Sequence, residues 1–396
     1  MENINQSSSS KRPGLSKTWL SKNLVLLTFI SFAQDAASDL IYPLLPLLLI
    51  GVVGSAPLAL GVIEGVADFV AGMTKLYAGK LSDRFGRKPF ITGGYTLAAI
   101  GKIFTVFSLA WTGIFAGRVI DRIGKGLRGA PRDALIHDSV DNQHLGKAFG
   151  FHRAGDNFGA VVGPLIALGL LAALNDDVRA VAKWALIPAV ISALATLIIH
   201  EKRAQQRRET FAKVPLSPKL KKTILILVLI QISNIPDALL LLRLHDIGFS
   251  PSGVVFGYVI YMFVATIAAY PAGRIADQIH PKYVYLVGLT FFALGYLALG
   301  LTENRIVALI ALAIYGLFPA LTDGIGKAWI GRLSDESSRG YAQGVFQASM
   351  SFAVLAAGIW GGLIWTSGKI ELALVIAGAG AAVGALVLLI NTRLEP

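Results

Sequence analysis

The sequence predicts an all-α polytopic membrane protein, with twelve transmembrane helices in two six-helix, pseudo-symmetric halves. Its 396 residues are 54% hydrophobic and only 15% charged, with a mean hydropathy of +0.63, too apolar for soluble domains. Apolar runs of about 20 residues, each long enough to cross a bilayer, recur along the chain, and the short alternating segments of a membrane barrel do not. A basic turn, Gly79-Lys80-Leu81-Ser82-Asp83-Arg84-Phe85-Gly86-Arg87-Lys88, separates two such runs. It has an echo in Gly273-Arg274-Ile275-Ala276-Asp277-Gln278-Ile279-His280-Pro281-Lys282.

Taken in order, residues 1–22 are Ser-rich and basic and are expected to be a disordered cytoplasmic tail. No small-residue cleavage site follows the first apolar run, so no removable signal peptide is expected. Spans at 24–50, 56–78, 89–109, 112–136, 149–173 and 180–200 form an N-terminal bundle, 23–200. A polar linker follows at 201–221, with Lys202, Arg203, Arg207, Arg208, Lys213, Lys219, Pro215 and Pro218, and should be irregular or lie on the surface. Spans at 222–248, 252–273, 282–302, 305–330, 341–365 and 370–390 form the second bundle, 222–390, before a short cytoplasmic tail, 391–396.

The formal net charge of +12 is a topology signal rather than a nucleic-acid footprint. Lys80, Arg84, Arg87 and Lys88 share one turn, and the linker is basic, whereas the alternate loops hold only scattered cations such as Arg179, Lys183, Arg305 and Lys369. Both termini are therefore expected on the cytoplasmic side of the cell inner membrane. The absence of cysteine excludes a disulfide framework, a thiol nucleophile and a thiolate metal site. Six scattered histidines lack metal-ligand spacing. With no G-x-x-x-x-G-K-[ST] loop and no nucleophile–base set, neither a cofactor nor an enzyme is expected.

The halves repeat. Gly79 and Asp83 match Gly273 and Asp277; Asp121-Arg122-Ile123-Gly124-Lys125 matches Asp323-Gly324-Ile325-Gly326-Lys327; Gly146 and Gly150 match Gly340 and Gly344. Two six-helix units in parallel orientation imply a pseudo-two-fold axis along the membrane normal and a cavity between the units.

These features resemble the major facilitator superfamily, over essentially the whole chain from Lys22. The turn from Gly79 through Asp83, Arg84, Gly86 and Arg87 matches that family's signature between its second and third helices. The resemblance implies a gating role, with Asp83 meeting a helix end of the other half and the arginines holding acids of the bundle when the transporter is open outward. Arg118 fits the arginine of drug/proton members, with Asp121 and Arg122 in place of their usual Gln and Gly. Gly155, Gly159, Gly163 and Pro164 resemble the antiporter motif, in which glycines allow close helix packing, although Ala167 and Leu168 stand near its final glycine pair. Asp39-Leu40-Ile41-Tyr42-Pro43-Leu44-Leu45-Pro46, Ile63-Glu64-Gly65-Val66-Ala67 and Pro131-Arg132-Asp133-Ala134-Leu135 are similar to one bacterial branch whose cargo the resemblance does not supply.

Ionisable residues inside apolar spans mark the chemistry, since each costs at least about 2.5–3.5 kcal/mol at the bilayer centre and needs a partner or a wet cavity. Asp35 and Asp39 are one turn apart, as are Glu64 and Asp68. Like charges so placed favour a proton on one of them, which makes these four the proton-coupling candidates. Otherwise they pair with Lys75, Lys102, Lys125 or backbone amides. Asp237 falls near the middle of the seventh span, and with Lys125, Arg128, Asp323 and Lys327 it is a substrate-cavity candidate. Lys125 could instead pair with Asp121 at i,i+4, and Arg132 with Asp83 or Asp133 as gate latches, alongside Asp277. For His152, Arg153 and Asp156, an ion pair of Arg153 with Asp133 or Asp138 outweighs a proton relay. Phe29, Phe32, Tyr42, Tyr258 and Tyr261 could wall an amphipathic cargo.

The function expected is secondary active transport of a small organic solute by alternating access, as proton-coupled efflux. The alternative is proton-coupled uptake of an anionic metabolite or metal chelate; a non-transporting receptor ranks lower. Partners expected are the small-molecule substrate, protons and the lipid bilayer, with no nucleic acid, for a monomer.

Overall fold

The computed structural model describes residues 20–141, 144–201, 216–335 and 339–390. The expected tails and most of the linker, including Lys202, Arg203, Arg207, Arg208 and Lys213, lie outside the described residues.

Among the described residues, fourteen α-helices build twelve crossings. In the first half these are α1 (Lys22–Ile41), α2 (Pro57–Phe85), α3 (Arg87–Phe107), α4 (Trp111–Asp138), α5 (Leu145–Ala173), and α6 (Val178–Trp184) with α7 (Leu186–Ala195). The second half holds α8 (Pro218–Gln231) with α9 (Asp237–Asp246), then α10 (Pro251–Gln278), α11 (Pro281–Leu301), α12 (Arg305–Arg332), α13 (Arg339–Thr366) and α14 (Ile370–Ile390). Among the described residues, ten helical stretches are long and apolar enough to cross a membrane. The other two crossings are α4, which is rich in charge, and the α8–α9 pair, which is interrupted.

Proline explains the interruptions. Pro43 and Pro46 withdraw two backbone donors, and α1 tightens into a 3-10 turn at Tyr42–Leu44 before a wide turn at Leu47–Val52. Pro188 leaves the Trp184 carbonyl without a helical donor, and the sixth crossing breaks at Ala185. In the seventh, Pro236 ends the stretch from Ile232, so the continuous 222–248 span expected from sequence is two helices with an irregular middle.

The signature turn also differs from expectation. Residues 79–85 are the last two turns of α2, and only Gly86 stands between α2 and α3, at φ +95°. Its echo, Gly273–Gln278, likewise lies within α10. A side chain at Gly86 would be strained in that left-handed conformation.

Within the first half α1 packs on α5 and α7, and α4 on α2 and α3; in the second, α11 packs on α12 and α14, and α10 on α12. The expected small-residue motif sits in the first of these seams. A side-chain carbon at Gly155, Gly159 or Gly163 would collide with Thr28, Phe32 or Ala36 of α1, so the two backbones run in close parallel contact. The halves meet where α2 lies on α13 and α5 on α10. Their interiors are chemically unlike: ion pairs fill the first, whereas rings of Phe292, Tyr296, Tyr315 and Phe318 pack at 4.4–5.9 Å in the second.

Candidate functional site

A cavity of about 600 Å³ lies between the halves, on the side of the α2–α3 junction, here called the basic end. The α4 stripe supplies Arg122, Lys125, Arg128 and Arg132, residues three or four apart that share one helix face, together with Asp133. Asp35 comes from α1, Asp68 and Lys75 from α2, Asp156 from α5, and Asp323 and Lys327 from α12. The two lysines of the repeated motif thus line one cavity from opposite halves.

Pairing divides these charges. Arg118 grips Glu64 with two hydrogen bonds of 2.8 Å, and both side chains are buried. Arg122 lies 3.7 Å from Glu64 and 3.6 Å from Asp68. Asp121 accepts from Lys102 at 2.9 Å and does not line the cavity, so of the two readings for Lys125 the pair with Asp121 is not formed. The reason is helix approach. Gly101 and Gly117 bring α3 and α4 to backbone contact, which places Lys102 at the Asp121 carboxylate. The repeat diverges here, because Tyr296 of α11 follows Gly295 as Lys102 follows Gly101, and Asp323 is left facing the cavity.

Asp35, Lys125, Asp323 and Lys327 line the cavity without an ion-pair partner among the described residues. Arg128 stacks over Tyr95 at 4.5 Å, with one buried guanidinium nitrogen unpartnered. Lys75 donates to Gln347 of α13 at 3.0 Å. Arg132 bonds Ser31 at 2.9 Å and pairs with Asp133 at 3.1 Å and Asp156 at 3.5 Å, and His152 lies 3.6 Å from Asp156. Arg153 does not take Asp133 or Asp138, since the latter pairs with Arg87.

Of the signature residues, Arg87 also donates to the Ala134 carbonyl at 2.8 Å, which ties α3 to α4. Gly79 faces Ala130 of α4. Asp83 and Arg84 are exposed, and among the described residues Asp83 bonds neither Arg132 nor a helix of the other half. Asp277 pairs with Arg332 at 3.2 Å. Glu201 was not anticipated. Its carboxylate accepts from the Arg87 and Lys88 backbone amides at 2.7 and 2.9 Å, capping α3, and a single acid beside a basic linker gives no sequence signal of this.

The opposite end is shut. Gly61 and Gly358 bring the α2 and α13 backbones together, Gly65 meets Leu355, and Gly362 meets Leu58. The i,i+4 glycines at 61/65 and 358/362 could have been read from sequence as a packing seam. Tyr258 donates to Asp39 at 2.9 Å across the halves, and Ser252 to Asp176 at 2.5 Å. Tyr42 lies 5.5 Å from Tyr258. Asp237, expected in the cavity, does not line it. It opens α9 after the break and accepts from Tyr315 at 2.7 Å and Tyr261 at 2.8 Å, within the same tyrosine layer. Phe32 stacks on Phe158, and Phe29 is exposed on the outer surface.

This seam yields one prediction. A leucine at Gly358 would overlap the Gly61 carbonyl, so Gly358→Leu should hold the shut end apart. In this cysteine-free chain, Ser252→Cys should then react about tenfold faster with a membrane-impermeant maleimide, a shift of about 1.4 kcal/mol. An unchanged rate would remove the α2–α13 seam as the closure.

The fold and site agree with comparisons to known proteins. The Major Facilitator Superfamily model matches residues 25–242 and again 224–396. An uncharacterized MFS-type transporter of Methanocaldococcus jannaschii is 30% identical over 357 residues, covering 87% of this chain and 89% of the relative. A multidrug resistance protein of Salmonella newport, MdtH, is 24% identical, with 83% of each covered. Among solved structures, nucleoside transporter NupG superposes with a TM-score of 0.78 at 13% identity, covering 93% of this chain and 98% of that one. A bacterial homologue of the human lysosomal transporter Spinster, in an inward-facing and occupied conformation, gives 0.78 at 15%, covering 96% and 98%. Twelve crossings in two like halves, a charged cavity between them and these matches lead to one conclusion: the chain belongs to the major facilitator superfamily of transporters.

Proposed function

We propose that this protein is a proton-coupled secondary active transporter that moves a small organic anion across the cell inner membrane by alternating access. One observation carries the reading: Asp35, a carboxylate with no ion-pair partner among the described residues, shares a cavity with Lys125 and Lys327, cations likewise without one, and with the unfilled donor of Arg128. The cations attract an anionic group, and the free acid takes the proton that balances its charge. The bias of Lys and Arg assigns the basic end to the cytoplasm, with both termini there, so the arrangement described is open inward. The bundles 23–200 and 222–390 are the moving bodies, acting as a monomer, and Arg87, Arg132, Asp133 and Asp277 are inner-gate latches. Asp83, solvent-exposed in this state, docks on the other half when the carrier opens outward.

A second reading, drug efflux in exchange for protons, is favoured by the similarity to the protein named for multidrug resistance. Proteoliposomes loaded with a pH-sensitive dye separate the two. A panel of organic phosphates and carboxylates should move protons in the wild type, and Lys125→Gln/Lys327→Gln should abolish the response. Proton movement evoked only by lipophilic cations would favour efflux, and silence in folded protein would favour a receptor.

A further inference from the structure

A second cavity, of about 590 Å³, joins the first at Arg153, Asn157 and Asp323 and runs sideways between α5 and α10, floored by α12. At the opposite end Ser252 of α10 donates to Asp176, in the turn that follows α5, whereas towards the basic end the groove lies between the two helices. The walls are made of small or apolar groups, among them Ala265, Ala269, Pro319 and Ala328. Tyr270 lines the groove and is 74% exposed, so the groove reaches the outer surface of the protein there. A side-chain carbon at Gly273 or Gly324 would meet nothing within 4 Å, so the space beside the walls is open. The charged groups sit at the two ends of the groove, and Thr266 is a neutral polar group on the wall between them. Arg274 and Arg332 stand where α10 and α12 reach the membrane surface, Arg332 being held by Asp277 at 3.2 Å, and Arg153 stands at the junction with the central cavity.

An apolar slot that opens to the bilayer and leads from one cation to another suits a molecule with one hydrocarbon chain and one anionic head. A water-borne anion would need no such wall, and a lipid with two chains would not fit in a single slot of this size. We propose that the groove is a lateral entry and binding site for a single-chain amphipathic anion drawn from the cytoplasmic leaflet, its chain along Ala265, Ala269 and Pro319 and its head passing from Arg274 to Arg153 and on to Lys327. The proposal rests on the anion-carrier reading above and narrows its substrate to lipid-like anions. Asp323, beside that path, is the group the head must pass, one turn from Lys327.

Binding is measured on the full chain in phosphatidylcholine nanodiscs with two probes, a fluorescent lysophosphatidic acid and radiolabelled glycerol phosphate. The lysophosphatidic acid should bind far more tightly. Ala269→Trp and Gly324→Leu, which fill the groove from different helices, should each weaken it by about tenfold, the effect of displacing two methylene groups, without changing glycerol phosphate binding. Equal affinity for the two probes, or an unchanged lysophosphatidic acid affinity in both variants, would overturn the proposal. If neither probe binds while the anion panel still moves protons, the lateral site falls and the carrier reading stands; if the panel is silent as well, both fall.

Discussion

Asp35→Asn is expected to abolish proton-driven accumulation while leaving exchange of internal for external substrate intact. With an imposed gradient of about two pH units, one proton per cycle supports an accumulation of about 100-fold, each tenfold step being about 1.4 kcal/mol. Removing the proton site should bring the accumulation ratio to about one, because the carrier then only equilibrates its cargo. The assay is uptake of whichever panel anion moves protons, with and without the gradient. Asp35 is singled out by its surroundings. Glu64 is held by Arg118, Asp68 stands beside Arg122, and Asp39 accepts from Tyr258 in the shut layer, so only Asp35 of the four faces the cavity without a bond or counter-ion among the described residues. Wild-type accumulation in Asp35→Asn would return the role to Asp39, Glu64 or Asp68.

The largest effect on stability is expected at Arg118. Glu64 is 2% exposed and receives both of its short hydrogen bonds from that guanidinium. Arg118→Met leaves a carboxylate buried with only the more distant Arg122, at 3.7 Å, for company. Breaking one member of a buried pair typically costs about 3–5 kcal/mol, whereas replacing both members with apolar groups of similar volume is often nearly neutral. Thermal unfolding in detergent, followed by tryptophan fluorescence, should show a marked fall for Arg118→Met and recovery of most of it in Glu64→Leu/Arg118→Met. Equal losses in the single and double variants would mean that the pair is not coupled as the geometry implies. The same logic applies at Lys102–Asp121, where neither side chain reaches the cavity.

The tyrosine layer changes how the acids of the second half are understood. Asp237 is an intramembrane acid by sequence and a cavity candidate on that ground, yet its two oxygens are taken by Tyr261 and Tyr315. Unlike Asp39, which accepts from Tyr258 across the halves, Asp237 is bonded only within the second half, to tyrosines of α10 and α12.

Sequence by itself determined the class, the helical spans, the internal repeat and the family, because span length, hydropathy and the Gly79–Lys88 signature are local properties. The breaks within the spans 24–50, 180–200 and 222–248 were not foreseen, although Pro43, Pro188 and Pro236 each remove a donor wherever the chain goes. The identity of the cavity charges was half legible: Lys125, Arg128, Asp323 and Lys327 line it as their helix spacing allowed, and Asp237 does not. Only the tertiary structure decided which charges are neutralised. Asp121 could reach Lys125 along its own helix, but the glycine contact of α3 with α4 offers Lys102 instead. Such a choice depends on side-chain direction and on how closely two helices distant in sequence approach, and neither is written in the periodicity of one helix. The same holds for the shut end and for the lateral groove, which exist only because α2 meets α13, and α5 meets α10, when the halves come together.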